Sequence, residues 1–169
     1  MRTREWPESL GRWLLPLNNP TEAILGTVVT GAIMAAYSEP PIHVDEVTLA
    51  TIVSVLVYWL THVYADEVGH DPENGPAFSK RRLMATLRRD WAIAQASIPP
   101  LAVLLLSSLC GATSFLALEI AVWSAVALLV AWGMFSAARH GLRGMPVFAA
   151  GLVAGVLGLI IVGLKSAVD

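Results

Sequence analysis

Apolar runs of similar length, separated by short polar stretches, dominate the pattern of hydrophobic positions along the chain. Four runs contain 19 to 24 residues, and a helix needs roughly 20 apolar residues to cross a bilayer. A fifth run, at 23–37, is shorter, but Thr21, Glu22 and Ser38 can extend it. The pattern predicts an all-α, polytopic membrane protein whose single transmembrane domain (21–169) has about five spans, at 21–38, 45–66, 91–111, 115–138 and 145–165.

The composition supports the membrane class. Hydrophobic residues make up 56% of the chain and charged residues only 14%, whereas soluble domains carry about 25% charged residues. The mean hydropathy is +0.64, so one water-soluble core of 169 residues cannot bury all the apolar surface. The single Cys110 excludes an intramolecular disulfide.

The basic residues predict an orientation. If the N-terminus is cytoplasmic, the polar segments on the outer side contain only Lys165, at the C-terminal end. Cytoplasmic loops of membrane proteins are enriched in Lys and Arg, so we expect a cytoplasmic N-terminus, an external C-terminus and a bacterial cytoplasmic membrane. The basic residues assigned to the inside are Arg2, Arg4, Arg12, Lys80, Arg81, Arg82, Arg88, Arg89, Arg139 and Arg143.

The N-terminal residues 1–20 have no continuous apolar stretch, so we expect no cleavable signal peptide. Large apolar residues recur there at helical spacing, which predicts an interfacial segment on the cytoplasmic surface. An irregular leader fits the same residues equally well. The large apolar residues are Trp6, Leu10, Trp13, Leu14 and Leu17.

The basic loop at 67–90 is the only sizeable polar segment within the transmembrane domain. Its second half, 77–90, predicts a short amphipathic helix on the inner membrane surface. This helix either ends before the third span or continues into it. A solvated charged linker is the alternative. The basic residues favour contact with anionic lipid headgroups over nucleic acid. The apolar residues of the expected helix are Phe78, Leu83, Met84 and Leu87.

Two further patterns bear on how the spans pack. Pro99 and Pro100 lie near the middle of the third span, where the missing backbone donors predict a kink or a break. Gly151 and Gly155 form a GxxxG pattern in the last span. Such a pattern predicts close helix packing, either within the chain or between two copies of it.

A stripe of polar residues marks the second span. At about 100° per residue, its members fall within an arc of roughly 140° on one helix face. A helix that faces lipid all round has no use for such a stripe, whereas a helix lining a polar pathway or packing on a polar partner does. The stripe consists of Thr48, Thr51, Ser54, Tyr58, Thr61, His62 and Asp66.

The cytoplasmic end of this stripe contains the chemically most versatile residues. His62, Asp66 and His70 are spaced four apart, so a continuous helix would place them on successive turns. An imidazole next to a carboxylate can relay protons, and the same groups can ligate a divalent metal. The third interpretation is a His–Asp hydrogen bond that only anchors the end of the helix to its neighbours. The three residues are candidate metal ligands, and the identity of a metal is not determined.

Glu119 is the second candidate for a functional residue. It lies about one turn inside the outer end of the fourth span, where a carboxylate is costly unless it is neutral, paired or in contact with water. With His62 and Asp66 near the inner side, it could mark the outer end of a pathway. A shallow position that reaches the headgroups explains it equally well.

Several catalytic signatures are missing from the chain. We find no GxSxG, HExxH, CxxC or phosphate-loop motif, so neither a catalytic residue nor a cofactor is predicted, and an enzyme is disfavoured. The enzyme alternative is a membrane-embedded, metal-dependent activity on a lipid-like substrate, with His140 as a further ligand.

The preferred functional hypothesis is a small homo-oligomeric channel or transporter for protons or small cations. Its pathway would follow the second span, and subunits would share it because a chain of this size has little room for a private pore. A non-catalytic membrane subunit that docks a larger partner is the alternative without transport. The pathway residues are Thr51, Ser54, Tyr58, His62, Asp66 and Glu119.

Overall fold

The protein is described by a computed structural model that covers residues 19–37, 40–69 and 79–168, with side chains up to 163. All the regular structure within these ranges is helical. The predicted interfacial segment at 1–20 lies outside them apart from its last two residues. The six helices are α1 (Pro20–Ala36), α2 (Val44–Val68), α3 (Lys80–Ala96), α4 (Ile98–Leu109), α5 (Ser114–Arg139) and α6 (Met145–Val168).

Four helical segments are long and apolar enough to cross a membrane. The predicted all-α class is therefore confirmed for the described residues, and these four segments fit the predicted membrane class by their length and composition. Helix α1 is apolar too but has only 17 residues, which is short for a bilayer. The four long segments are Val44–Val68, Lys80–Leu109, Ser114–Arg139 and Met145–Gly163.

Large apolar side chains cover the outer surface of the helices. Leu49 on α2 is 64% exposed, Leu152 on α6 is 71% exposed, and Met145 at the start of α6 is 83% exposed. Contiguous apolar surface of this kind is unfavourable in water. It is the surface expected of helices that are surrounded by lipid.

Helix α1 lies at the centre of the bundle and packs on α2, α3, α5 and α6. Its interior face consists mainly of small residues, which allow neighbouring helices to approach closely. The hydroxyl groups of Thr27 and Thr30 on this face are fully buried. They donate hydrogen bonds to the carbonyl oxygens of Ala23 and Gly26, each at 2.7 Å, so their burial leaves no donor unsatisfied.

The third predicted span is interrupted just before its two prolines. Helix α3 ends at Ala96, Ser97 forms a turn, and α4 begins at Ile98 with proline in its first turn. The carbonyl oxygen of Ala94 accepts from the Ser97 hydroxyl at 2.7 Å and from the Ser97 backbone N–H at 3.3 Å, so this acceptor stays satisfied at the break. The predicted break is confirmed.

The N-terminal half of this span continues the predicted amphipathic helix. Helix α3 begins at Lys80, so the basic segment and the start of the third span form one continuous helix, which is one of the two arrangements that the sequence left open. The protein-facing side of this segment is polar: Thr86 and Asp90 are buried, while Met84 is 60% exposed.

The glycines of α6 pack against α5 within the same chain. A β-carbon added to Gly151 would lie 3.3 Å from the Val130 carbonyl oxygen, and one added to Gly155 would lie 2.9 Å from Val130 Cγ2. On the facing helix, a β-carbon at Gly133 would lie 2.8 Å from the carbonyl oxygen of Ala150. These glycines thus serve intramolecular packing, the first of the two predicted uses.

Candidate functional site

Ionisable side chains from three helices meet at one end of the bundle. Glu22 of α1, His62 of α2 and Asp90 of α3 each bring one ligating atom to within 4.8 Å of the other two. The closest measured pair is His62 Nε2 and Glu22 Oε2, at 3.3 Å. The Asp90 side chain is fully buried, and the Glu22 side chain is 18% exposed.

Arg89 links the carboxylates of Asp66 and Asp90 at this site. The Arg89 Nε donates to Asp90 Oδ1 at 2.8 Å, and its Nη2 donates to Asp66 Oδ2 at 3.1 Å. We call Glu22, His62, Asp66, Arg89 and Asp90 the polar cluster. With ionised carboxylates and a neutral His62, the three carboxylates and the one guanidinium give the cluster a net charge of −2. The cluster therefore attracts cations.

Local sequence explains how each helix presents its group. Glu22 lies in the first turn of α1, just after Pro20, where a carboxylate interacts favourably with the helix dipole. His62 and Asp66 are one turn apart on α2 and therefore share a face. Asp90 occupies the buried face of α3. The side-chain amide of Asn19 donates to the Arg89 carbonyl oxygen at 2.7 Å and links α1 to α3.

One atom of the cluster accepts no hydrogen bond from the described residues. This atom, Glu22 Oε2, is buried. His62 Nε2 is near it, but the two atoms are not in hydrogen-bond geometry. A buried carboxylate oxygen without a partner costs on the order of 1–3 kcal/mol. A proton or a cation bound at this oxygen would remove that cost.

A polar cavity of about 400 Å³ adjoins the cluster at Glu22. It lies between the first turn of α1 and the last turn of α5, so solvent can reach the Glu22 carboxylate from the end of the bundle. The cavity is lined by Asn19, Pro20, Thr21, Glu22, Arg89, Arg139 and His140.

A second buried carboxylate joins α2 to α3 next to the cluster. The Glu67 side chain is fully buried. Its Oε1 accepts hydrogen bonds from Arg82 Nε at 3.2 Å and from the Thr86 hydroxyl at 3.1 Å. Glu67 therefore has charged and neutral donors for its buried oxygen, and we assign it to helix packing rather than to the candidate site.

The predicted stripe on α2 divides into two parts. The hydroxyl groups of Thr48, Thr51 and Thr61 donate to the carbonyl oxygens four residues earlier, at 2.6 to 2.8 Å. Thr51 is buried, whereas Ser54 and Tyr58 are half-buried. The threonine hydroxyl groups thus have hydrogen-bond acceptors within their own helix. The polar contacts between the stripe and other helices lie at its C-terminal end, at His62 and Asp66.

That end contains the stripe residues that join the polar cluster. His62 lies beside Glu22, and Asp66 accepts from Arg89. The Tyr58 ring stacks near the His62 ring, with 6.3 Å between the ring centroids. His70, the third predicted metal candidate, lies outside the described residues. Within them, the group with metal-binding geometry combines His62 with Glu22 and Asp90 rather than with Asp66.

Glu119 lies at the opposite end of the bundle from the cluster. It follows Leu118, which packs in one apolar core with Val47 at the start of α2, whereas His62 lies near the end of α2. Glu119 is half-buried. Helix α5 packs mainly on α1, α4 and α6, while α2 packs on α1, α3 and α4. A pathway from Glu119 to His62 within one chain therefore also involves α1 or α4.

The sequence did not predict three of the five members of the polar cluster, Glu22, Arg89 and Asp90. Glu22 only extends the first predicted span, and Arg89 and Asp90 end the predicted basic loop. A signal was present in the loop, because Arg82, Thr86 and Asp90 are spaced four apart and share one helix face. Their partner helix could not be identified from spacing alone.

Within the described residues, the fold is an all-helical bundle with four helices that could span a membrane, and a partly buried, negatively charged cluster lies at one end of the bundle. No protein-family model, no curated protein and no solved structure matches the chain. The function is therefore inferred from the cluster itself.

Proposed function

We propose that this protein is a channel or transporter for protons or small cations, and that the polar cluster is its cytoplasmic ion site. The observation that carries the proposal is the meeting of Glu22, His62 and Asp90, from three helices, at one partly buried position. Ionisable residues within membrane helices are costly and commonly mark ion pathways. The unpartnered Glu22 oxygen adds a reason for a cation or proton to bind there.

In this proposal the chain crosses the membrane five times. The spans are α1, α2, the pair α3–α4, α5 and α6, with the N-terminus in the cytoplasm and the C-terminus outside. Lys and Arg support this arrangement, since Lys80, Arg88 and Arg139 then all lie on the cytoplasmic side. The membrane is the cytoplasmic membrane of a bacterium, and its anionic headgroups contact the basic part of α3.

The rest of the pathway runs from the cluster toward Glu119. On α2 it passes Tyr58, Ser54 and Thr51, and Glu119 collects ions at the outer end. Subunits of a homo-oligomer share this pathway, because a chain of 169 residues has little room for a private pore. No cofactor takes part in transport.

Flux through reconstituted protein tests the proposal. Purified protein in liposomes is given a proton, sodium or potassium gradient, and flux is followed with ion-sensitive dyes. We expect flux by the unmodified protein and at least a tenfold loss in the double variant His62→Ala with Asp66→Asn. The same two residue types occur at the other end of α2, so His43→Ala with Asp45→Asn is the matched control.

Two outcomes contradict transport. One is the absence of flux of every tested ion by well-folded protein. The other is unchanged flux in the His62 and Asp66 double variant, which would mean that the polar cluster lies off the pathway. Loss of flux in the His43 and Asp45 control would also count against a site specific to the cluster.

A further inference from the structure

We propose that Glu22, His62 and Asp90 bind one divalent transition-metal ion. The sequence pattern pointed to other partners for His62, and only the packing of α1 on α3 brings these three groups together. The inference that the ion binds is argued from the geometry of the cluster alone. The role of the ion as the transported cation rests on the proposed transport function.

The distances suit a bound metal. Two ligand atoms that are each about 2.1 Å from a tetrahedral ion lie about 3.4 Å from one another. His62 Nε2 and Glu22 Oε2 are 3.3 Å apart. The Asp90 ligand atom lies within 4.8 Å of both, so small side-chain rotations complete a three-ligand site, and water can fill the remaining position.

The donor set selects the class of metal. One imidazole nitrogen and two carboxylate oxygens suit Zn²⁺, Co²⁺, Ni²⁺, Fe²⁺ or Mn²⁺. Ca²⁺ and Mg²⁺ prefer sites made entirely of oxygen atoms. The net negative charge of the polar cluster favours a divalent ion over a monovalent one, since the attraction scales with the charge of the ion.

The neighbouring residues prepare the ligands for this role. Arg89 donates to both oxygens of the buried Asp90 carboxylate, to Oδ1 at 2.8 Å and to Oδ2 at 3.4 Å; each oxygen keeps a second lone pair that a metal ion can use. Hydrogen bonds of this kind to a ligating carboxylate are a regular feature of metal sites. A metal ion would coordinate Glu22 Oε2, which accepts no hydrogen bond from the described residues, and the polar cavity adjoins the site at Glu22.

Metal titration of the purified protein tests the inference. Zn²⁺ and Co²⁺ are titrated into the detergent-solubilised full chain by calorimetry, with Mg²⁺ as the comparison ion. We expect one Zn²⁺ per chain and affinity weaker by about 100-fold or more in Glu22→Gln and His62→Ala, because even residues that only support a ligand change affinity 10- to 100-fold. Glu119→Gln and His43→Ala, at the other end of the bundle, should bind Zn²⁺ normally.

Replacing one ligand with cysteine distinguishes loss of a metal ligand from misfolding of the variant. In a Cys110→Ala background, His62→Cys should retain Co²⁺ and add a thiolate-to-cobalt charge-transfer absorption band, which appears only when the new sulfur coordinates the metal. Position 43 provides the control, since His43→Cys in the same background should add no such band.

Metal binding and transport can fail separately. A folded protein that binds no Zn²⁺ or Co²⁺, or binds them equally well in the Glu22 and His62 variants, overturns the metal site, even if the protein conducts protons. Stoichiometric binding that both cluster variants abolish supports the site. If that binding occurs in a protein that transports no ion, the metal site stands and the transport function fails.

Discussion

Gly26 of α1 lies directly against the backbone of Ile93 in α3, so closely that a β-carbon on Gly26 would be 2.9 Å from Ile93 Cα. Real β-carbons do not approach other atoms to this distance. Gly26 is one turn from Glu22, and Ile93 is about one turn from Asp90. The contact of these two backbones therefore sets the separation of two members of the polar cluster.

Replacing Gly26 with alanine should push α1 away from α3. The atoms that a new methyl group meets belong to backbone, which cannot rotate aside, so we expect a loss of about 1–3 kcal/mol from overpacking. The melting temperature in detergent should fall, and Zn²⁺ affinity should fall with it because Glu22 and Asp90 separate. Thermal unfolding with and without Zn²⁺ measures both effects.

Gly163 provides the matched control for this substitution. No atom lies within 4 Å of a β-carbon added there, and alanine is favoured over glycine within a helix by about 0.5–1 kcal/mol. Gly163→Ala should therefore leave the melting temperature unchanged or raise it. Equal destabilisation by both substitutions would contradict the assigned role of the Gly26 contact.

Glu67→Ala should destabilise the junction of α2 and α3. It removes the acceptor of Arg82 Nε and of the buried Thr86 hydroxyl, and a buried donor without a partner costs on the order of 1–3 kcal/mol. The substitution should lower the melting temperature more than Glu67→Gln, which keeps an acceptor. Glu46→Ala, at an exposed site in the first turn of the same helix, should have little effect.

A charge on the outer face of α6 tests whether this face meets lipid. Leu152 is 71% exposed and lies near the middle of the segment Met145–Gly163. Arginine at the centre of a membrane helix costs about 2.5–3.5 kcal/mol for insertion, so Leu152→Arg should reduce the amount of protein in the membrane fraction. Leu152→Ala should not, and equal membrane yields of both variants would place this face in water.

The native cysteine reports on the orientation of the spans. Cys110 is exposed in the turn between α4 and α5, which the proposed topology places outside. A membrane-impermeant maleimide applied to intact cells should label Cys110. In a Cys110→Ala background, Arg88→Cys should be labelled only after the cells are opened. The reverse labelling pattern would invert the proposed topology.

Much of the fold follows from the order of the residues alone. A run of about 20 apolar residues can satisfy its backbone only as a helix within a bilayer, so the spans of α2, α5 and α6 were predicted nearly to their ends. Pro99 and Pro100 predicted the break before α4 for an equally local reason, since a proline has no backbone donor.

The sequence left open whether the helix over 77–90 is continuous with the third span. The segment from Lys80 to Asp90 is too charged for a span, and hydropathy therefore separated it from the apolar residues that follow. Helix α3 runs through this boundary because Thr86, Asp90 and Arg82 find partners on α2 and within α3. The hydrogen-bond partners of a polar helix face can belong to another helix that is distant in the sequence.

The sequence by itself determined the class of the protein, most of its helices and the polar end of α2, because hydropathy and helical periodicity are local properties. Only the tertiary structure decided that His62 lies beside Glu22 and Asp90, and that Asp66 accepts from Arg89. These residues are up to 68 positions apart. Their distances depend on how closely helices pack, which at Gly26 is governed by the absence of one side chain.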